Sequence, residues 1–107
     1  MASPAKLRNW LRFVKQVGKE QGFEIDGGDT VVEIFIAKRH GAAFRLQINS
    51  GGYLQAQQWE CNSKGQNGKY GRAIYSIRSN SDVAQFCAVL IASSSLRARR
   101  REDGDEA

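Results

Sequence analysis

The sequence predicts an α+β fold: a four-stranded antiparallel meander sheet with an N-terminal and a C-terminal helix packed on one face. Three observations predict it. Apolar residues recur at helical spacing only toward the two ends, as Leu7, Trp10, Leu11, Val14 and Val17, and as Val83, Phe86, Cys87, Leu90 and Ile91. Between them, four segments alternate with the period of a strand. Short turns rich in Gly, Asn, Asp and Ser join those segments, and short turns favour antiparallel neighbours. Two amphipathic helices need a surface to bury against, and a one-sided sheet supplies it.

The first helix is expected near 4–21. Ser3 can cap it and Pro4 suits its first position. Gly22 is a good left-handed stop, and Phe23 can fold back on Val17. Gly18 is an imperfection in the last turn. Lys6, Arg8, Arg12, Lys15 and Lys19 lie mainly off the apolar stripe. After "DGGD" the strands are expected near 30–38, 42–49, 53–61 and 71–78, with "KRHG", "NSGG" and the loop "NSKGQNGKYG" between them. A short extra strand at "FEI" can pair at the sheet edge. The second helix, expected near 80–93, opens on Ser79 followed by Asp82, the spacing of a capping box with Asp in place of Glu or Gln.

The chain has 107 residues, 41% hydrophobic and 25% charged, which suits one globular domain. The reading is a single α-β-β-β-β-α domain over 1–93 and a disordered charged tail over 94–107. That tail carries four arginines and then four acids, which cancel, so the net charge of +5 sits in the body of the domain. A basic body points to a polyanionic partner. No run of about 18 apolar residues exists to cross a membrane, and the N-terminus lacks the continuous apolar stretch of a secretory signal. Two cysteines, Cys61 and Cys87, are read as free thiols in an intracellular setting: cytoplasm, nucleus or organelle matrix.

The catalytic inventory is thin. His40 is the single histidine and falls in a turn. No His/Cys cluster has metal-ligand spacing. Asp26 and Asp29 flank a turn, which turn chemistry explains. The glycines of "NSKGQNGKYGR" do not have Walker spacing. Neither an enzyme nor a cofactor site is expected.

The segment "YLQAQQWE", 53–60, sets Tyr53, Gln55, Gln57 and Trp59 on one strand face and Leu54 and Ala56 on the other. If Phe44, Leu46 and Ile48 face the helices, Arg45, Gln47 and Asn49 face out. For the fourth strand, Ala73, Tyr75 and Ile77 are expected inside, with Arg72, Ser76 and Arg78 outside. The open face then carries Arg45, Gln47, Tyr53, Gln55, Gln57, Trp59, Arg72 and Arg78, with Lys64, Lys69 and Tyr70 from the loop beside it. Rings for stacking, amides for base edges and cations for phosphates are what a single-stranded nucleic-acid platform needs. The alternative is a protein-interaction or homodimerisation module using the same face, since Tyr, Trp and Arg are also enriched at interfaces. A bulge that shifted the strand phase would instead bury Trp59.

The ending "GRAIYSIRSNSDVAQFCAVLIA" resembles the end of a LAGLIDADG homing endonuclease half, where a basic strand runs into a capped helix. The acidic glycine-rich helix end that defines that family is absent, so nuclease activity does not carry over. The order of four strands and a helix is also similar to that of single-strand DNA-binding coactivators and Whirly proteins, without a residue-by-residue motif. No family is claimed.

Overall fold

The computed structural model describes residues 2–37, 42–62, 64 and 66–104. Helix α1 spans Pro4–Glu20. The Ser3 hydroxyl accepts from the Lys6 N–H at 3.2 Å, the predicted cap. At the other end Gly22, at φ 81°, donates to the Lys19 carbonyl, and Phe23 donates to that of Gly18. These two bonds form a Schellman turn, which satisfies carbonyls the helix would otherwise leave open. The turn delivers Phe23 into the core, where it is 5% exposed.

Gly18 has a packing reason. It is buried, and a Cβ there would stand 2.9 Å from Ile25 Cδ1. The glycine costs about 1 kcal/mol of helix propensity relative to Ala. It allows the first strand to lie close beneath the helix.

Five strands follow: β1 Glu24–Gly27, β2 Val31–Ala37, β3 Ala42–Asn49, β4 Tyr53–Glu60 and β5 Lys69–Ile77. They pair antiparallel in the order β1-β2-β3-β4-β5. The four predicted strands therefore become five, because the edge segment at "FEI" does pair, with Glu24 opposite Phe35 and Ile25 opposite Ile34. The predicted "KRHG" turn, with His40, lies outside the described residues.

Both helices pack on one face of the sheet, giving a two-layer α+β arrangement. The core between the layers holds Leu7, Leu11 and Val14 from α1, Val32 and Ile34 from β2, Phe44 and Leu46 from β3, Leu54 and Ala56 from β4, Ile77 from β5, and Val83, Phe86 and Leu90 from the second helix. Burying each of the large aliphatic side chains stabilises the fold by roughly 1.5–3 kcal/mol. The Phe86 ring sits edge-on to Phe44, at 5.3 Å, and to Tyr75, at 5.6 Å. Trp10 Nε1 donates to Asn80 Oδ1 at 2.9 Å, joining the two helices.

Helix α2 spans Asn80–Gly104. Its start is the predicted cap: the Asp82 N–H donates to the Ser79 hydroxyl at 3.2 Å, and the Asp82 carboxylate accepts from the Arg78 N–H at 2.9 Å. Its end lies beyond the expected one, and residues 105–107 of the charged tail lie outside the described residues. The backbone stays helical eleven residues further than the predicted end at 93, since 104 − 93 = 11. Periodicity could not indicate this, because no apolar stripe runs through 94–104. The propensities of Leu, Ala, Arg and Glu carry a helix onward once a packed turn has nucleated it.

The strand phase is as predicted through β3 and β4. In β5 the register against β4 shifts twice, between Ala56 and Gln57 and between Gln57 and Trp59. Tyr75 pairs with Ala56 on the helix side, but Ala73 pairs with Gln57 and so belongs to the open face. The expectation that Ala73 points inward is therefore corrected: the bulge inverts the alternation between the two residues.

Candidate functional site on the open sheet face

The registers align the open face into rows across the strands. Glu33, Arg45, Gln57 and Ala73 form one row from β2 to β5. Val31, Gln47, Gln55 and Ser76 form the next. Two residues further along β4, in the opposite direction, Trp59 pairs with Tyr70. Asn49 and Tyr53 pair at the far end. Both helices lie on the other side of the sheet.

The central row is a bonded network. Arg45 Nε and Nη2 donate to Gln57 Oε1 at 3.0 and 2.7 Å. Gln57 Nε2 donates in turn to the Gly71 carbonyl at 2.9 Å. The Arg45 guanidinium lies over the Tyr70 ring, 4.6 Å from its centroid. Tyr70 donates its hydroxyl to Glu33 Oε2 at 2.7 Å, so its side chain reaches from β5 across to β2. Trp59 stands edge-on to Tyr70 at 5.1 Å. Ala43, one pleat further along β3 from Arg45, is fully buried although it belongs to the open face. The rings and Arg45 thus make a small second layer over part of the sheet.

Burial is the main cause that raises the Tyr70 phenol above its ordinary range. The hydrogen bond to Glu33 and that carboxylate's charge add to it, and Arg45 opposes them. Tyr70 therefore stays protonated near neutrality and remains a donor to Glu33.

Gly68 is what lets Trp59 lie where it does. A Cβ on Gly68 would fall 2.0 Å from Cζ2 and 2.7 Å from Nε1 of the indole. The ring is half-buried against the backbone that leads into β5. This settles the phase question in the sequence: Trp59 faces the open side, away from the main core.

At the other end of β4 the Arg78 guanidinium lies 4.0 Å from the Tyr53 ring centroid. Arg78 follows the last residue of β5 instead of lying within the strand. Asn49 Nδ2 donates to Gln55 Oε1 at 3.1 Å, and Asn49 Oδ1 accepts from the Gly51 N–H at 2.8 Å. Six residues separate Tyr53 from Trp59, about 20 Å at the rise of an antiparallel strand. Between these aromatic ends lie the exposed Gln47 and Ser76 and the half-buried Gln55.

The structure thus brings Arg45, Gln57, Trp59 and Tyr70 into one cluster and pairs Tyr53 with Arg78. Tyr70, expected in a loop, belongs to β5. Lys69 starts the same strand, exposed and opposite Glu60. Arg72 is exposed in the irregular part of β5, where the register does not fix its side. Lys64 is exposed in the β4–β5 loop, whose turn is held by Asn62 Oδ1 accepting from the N–H groups of Lys64 and Gln66.

Sequence reasoning missed Glu33 and Gly68 as parts of the site. Glu33 had a usable signal. Alternation with Val32 and Ile34 sets it on the outward side of β2, although its place opposite Arg45 depends on the register shift between Phe35 and Ala37. Gly68 had none, because its role depends on where a distant indole lies.

Among the described residues no group of three His, Cys, Asp or Glu side chains could hold a metal ion. No buried side-chain nitrogen or oxygen among them lacks a hydrogen-bond partner. Cys61 and Cys87 do not form a disulfide. None of the described helices is long and apolar enough to cross a membrane. No family model, curated protein or solved structure matches this chain.

Proposed function

We propose that this chain is a non-enzymatic nucleic-acid-binding domain that takes single strands of DNA or RNA on the open sheet face. The observation that carries the reading is a sheet face left uncovered by both helices, on which Tyr53, Trp59 and Tyr70 stand beside the guanidiniums of Arg78 and Arg45. Half-buried here, aromatic rings on such a face stack bases without regard to sequence, because every base has a π-face. Gln47 and Gln55 between the rings offer hydrogen bonds to base edges. Lys64, Lys69, Arg72 and Arg78 are exposed cations around the face and would meet phosphates.

The network changes two of the expected roles. Arg45 and Gln57 bind each other, and so act as positioning residues that hold Tyr70 and Trp59 for stacking. No cofactor enters the proposal. The two thiols suit a reducing intracellular compartment, whether cytoplasm, nucleus or organelle matrix.

A specific observation favours the second reading, a protein-interaction or homodimerisation surface. Glu33 sets a carboxylate in the central row, where it would repel phosphate and attract a cationic side chain. A titration with labelled single-stranded and duplex oligonucleotides at two salt concentrations separates the two. The proposal expects single strands to bind more tightly than duplex, and binding to weaken as salt rises. Absence of oligonucleotide binding at low salt, with elution as a dimer on size exclusion, would overturn it in favour of self-association.

A further inference from the structure

The helical layer, on the opposite side of the sheet from the face just described, contains a groove of about 480 Å³ between the N-terminal parts of α1 and α2. Lys6, Asn9, Trp10 and Phe13 line it from α1, and Asn80, Val83 and Ala84 from α2. From this lining we infer that the groove is a binding site for a compact aromatic carboxylate, independent of the open sheet face.

Size is the first argument. The volume lies within the range of small-molecule sites, about 300–1,000 Å³. The lining spans residues 6 to 13 of α1, about 10 Å, but only 80 to 84 of α2, about 6 Å, at 1.5 Å per residue. A docked helix sets anchors at i, i+3, i+4 and i+7, and needs about 10 Å of wall on both sides. A compact molecule fits the shorter wall.

Chemistry is the second argument. Trp10 and Phe13 present aromatic surface, and Val83 and Ala84 close the apolar side. Phe13 is 55% exposed, an uncovered ring at the groove. Flat rings pack against such walls edge-on or offset-stacked.

Charge complementarity fixes the polar end. Among the described residues the lining holds one cation, Lys6, and no carboxylate. The Lys6 ammonium is 5.5 Å from the Trp10 ring centroid, so the charge sits directly beside the aromatic wall. Asn80 Oδ1 already accepts from Trp10 Nε1, which orients its amide and leaves the NH₂ as the group offered to a ligand. An ammonium and an amide donor beside apolar walls select an anionic acceptor on an apolar body.

The test uses the full chain with 2-naphthoate as probe and 2-naphthamide as its neutral counterpart, followed by amide and indole N–H shifts. The expected result is saturable binding of naphthoate, on the order of 0.1 mM, with shifts at residues of the groove including the Trp10 indole. Lys6→Gln should weaken naphthoate by roughly two- to five-fold, the size of an exposed ion pair, and leave naphthamide unchanged. Ala84 is exposed, so Ala84→Phe should fill the groove without entering the core, and abolish binding of both probes. Should Ala84→Phe fail to fold, Phe13→Ser removes one wall at an exposed position and should weaken both probes alike. The inference is overturned by no saturation at millimolar naphthoate, by equal affinity for the two probes, by undiminished binding in a folded Ala84→Phe, or by shifts confined to the open sheet face.

Discussion

Gly68→Ala tests the geometry of the open face at its most sensitive point. The glycine has no positive φ that would exclude alanine, so the backbone accepts the substitution and any effect is steric. The new methyl would fall 2.0 Å from Trp59 Cζ2 and 2.4 Å from Cε2, far inside van der Waals contact. The ring is half-buried, not enclosed, so it can swing outward. Swinging out breaks the edge-on contact with Tyr70, which is worth about 0.5–1.5 kcal/mol. It also re-exposes apolar surface, so the total expected loss is about 1–2 kcal/mol. For a domain of this size that lowers Tm by about 4–8 °C per kcal/mol. The assays are a thermal melt and the Trp59 indole N–H resonance, which should move while that of Trp10 stays in place. The cycle with Trp59→Ala sharpens the test, since in that background Gly68→Ala should cost nearly nothing. Equal costs in both backgrounds, or a Trp59 resonance that does not move, would refute the packing described here.

Other outcomes follow from the same structure. Tyr70→Phe removes the donor to Glu33 and should destabilise by about 1 kcal/mol, read from urea melts. Because the folded Tyr70 phenol is held above its ordinary value of 10.0, the unfolded chain ionises first as pH rises. The stability Tyr70 contributes is complete below pH 10 and is lost above it, so the gap between wild type and Tyr70→Phe should shrink in alkali. Ser79→Ala removes the α2 cap and should cost about 1 kcal/mol. Burial raises the Cys87 thiol and leaves it inert. Alkylation without reductant should therefore modify Cys61 alone in the native protein, and both cysteines in denaturant, as read by mass.

The elements that bury a periodic stripe were legible. Leu7, Trp10, Leu11 and Val14 mark α1, and Phe44, Leu46 and Ile48 mark the inward side of β3, because burial enforces the period directly. The caps at Ser3 and Ser79 were legible from local spacing alone. The phase of β5 was not. Its bulges place Ala73 beside Gln57 and bring Tyr70 into line with Trp59, and a bulge leaves no mark in an alternation pattern already broken by Gly71. The length of α2 was not legible either, since beyond residue 93 it follows propensity without an apolar stripe.

The candidate site was legible as a set of residues but not as a structure. Tyr53, Gln55, Gln57 and Trp59 do share the outward side of β4. Alternation could not show that Arg45 is bonded to Gln57, or that Tyr70 reaches Glu33 across the sheet. Rings and amides coexist on one strand because each amide has a specific partner: Gln57 is held by Arg45 and the Gly71 carbonyl, and Gln55 by Asn49.

The most direct measurement of the proposed role of this face is the affinity of wild type and Trp59→Ala for the same labelled single-stranded oligonucleotide at low salt. Both proteins should first show the same far-UV circular dichroism, since Trp59 lies outside the main core. Loss of one stacked base costs roughly 1–3 kcal/mol, so Trp59→Ala should bind about ten-fold or more weakly. Equal affinity in two folded proteins would contradict the account.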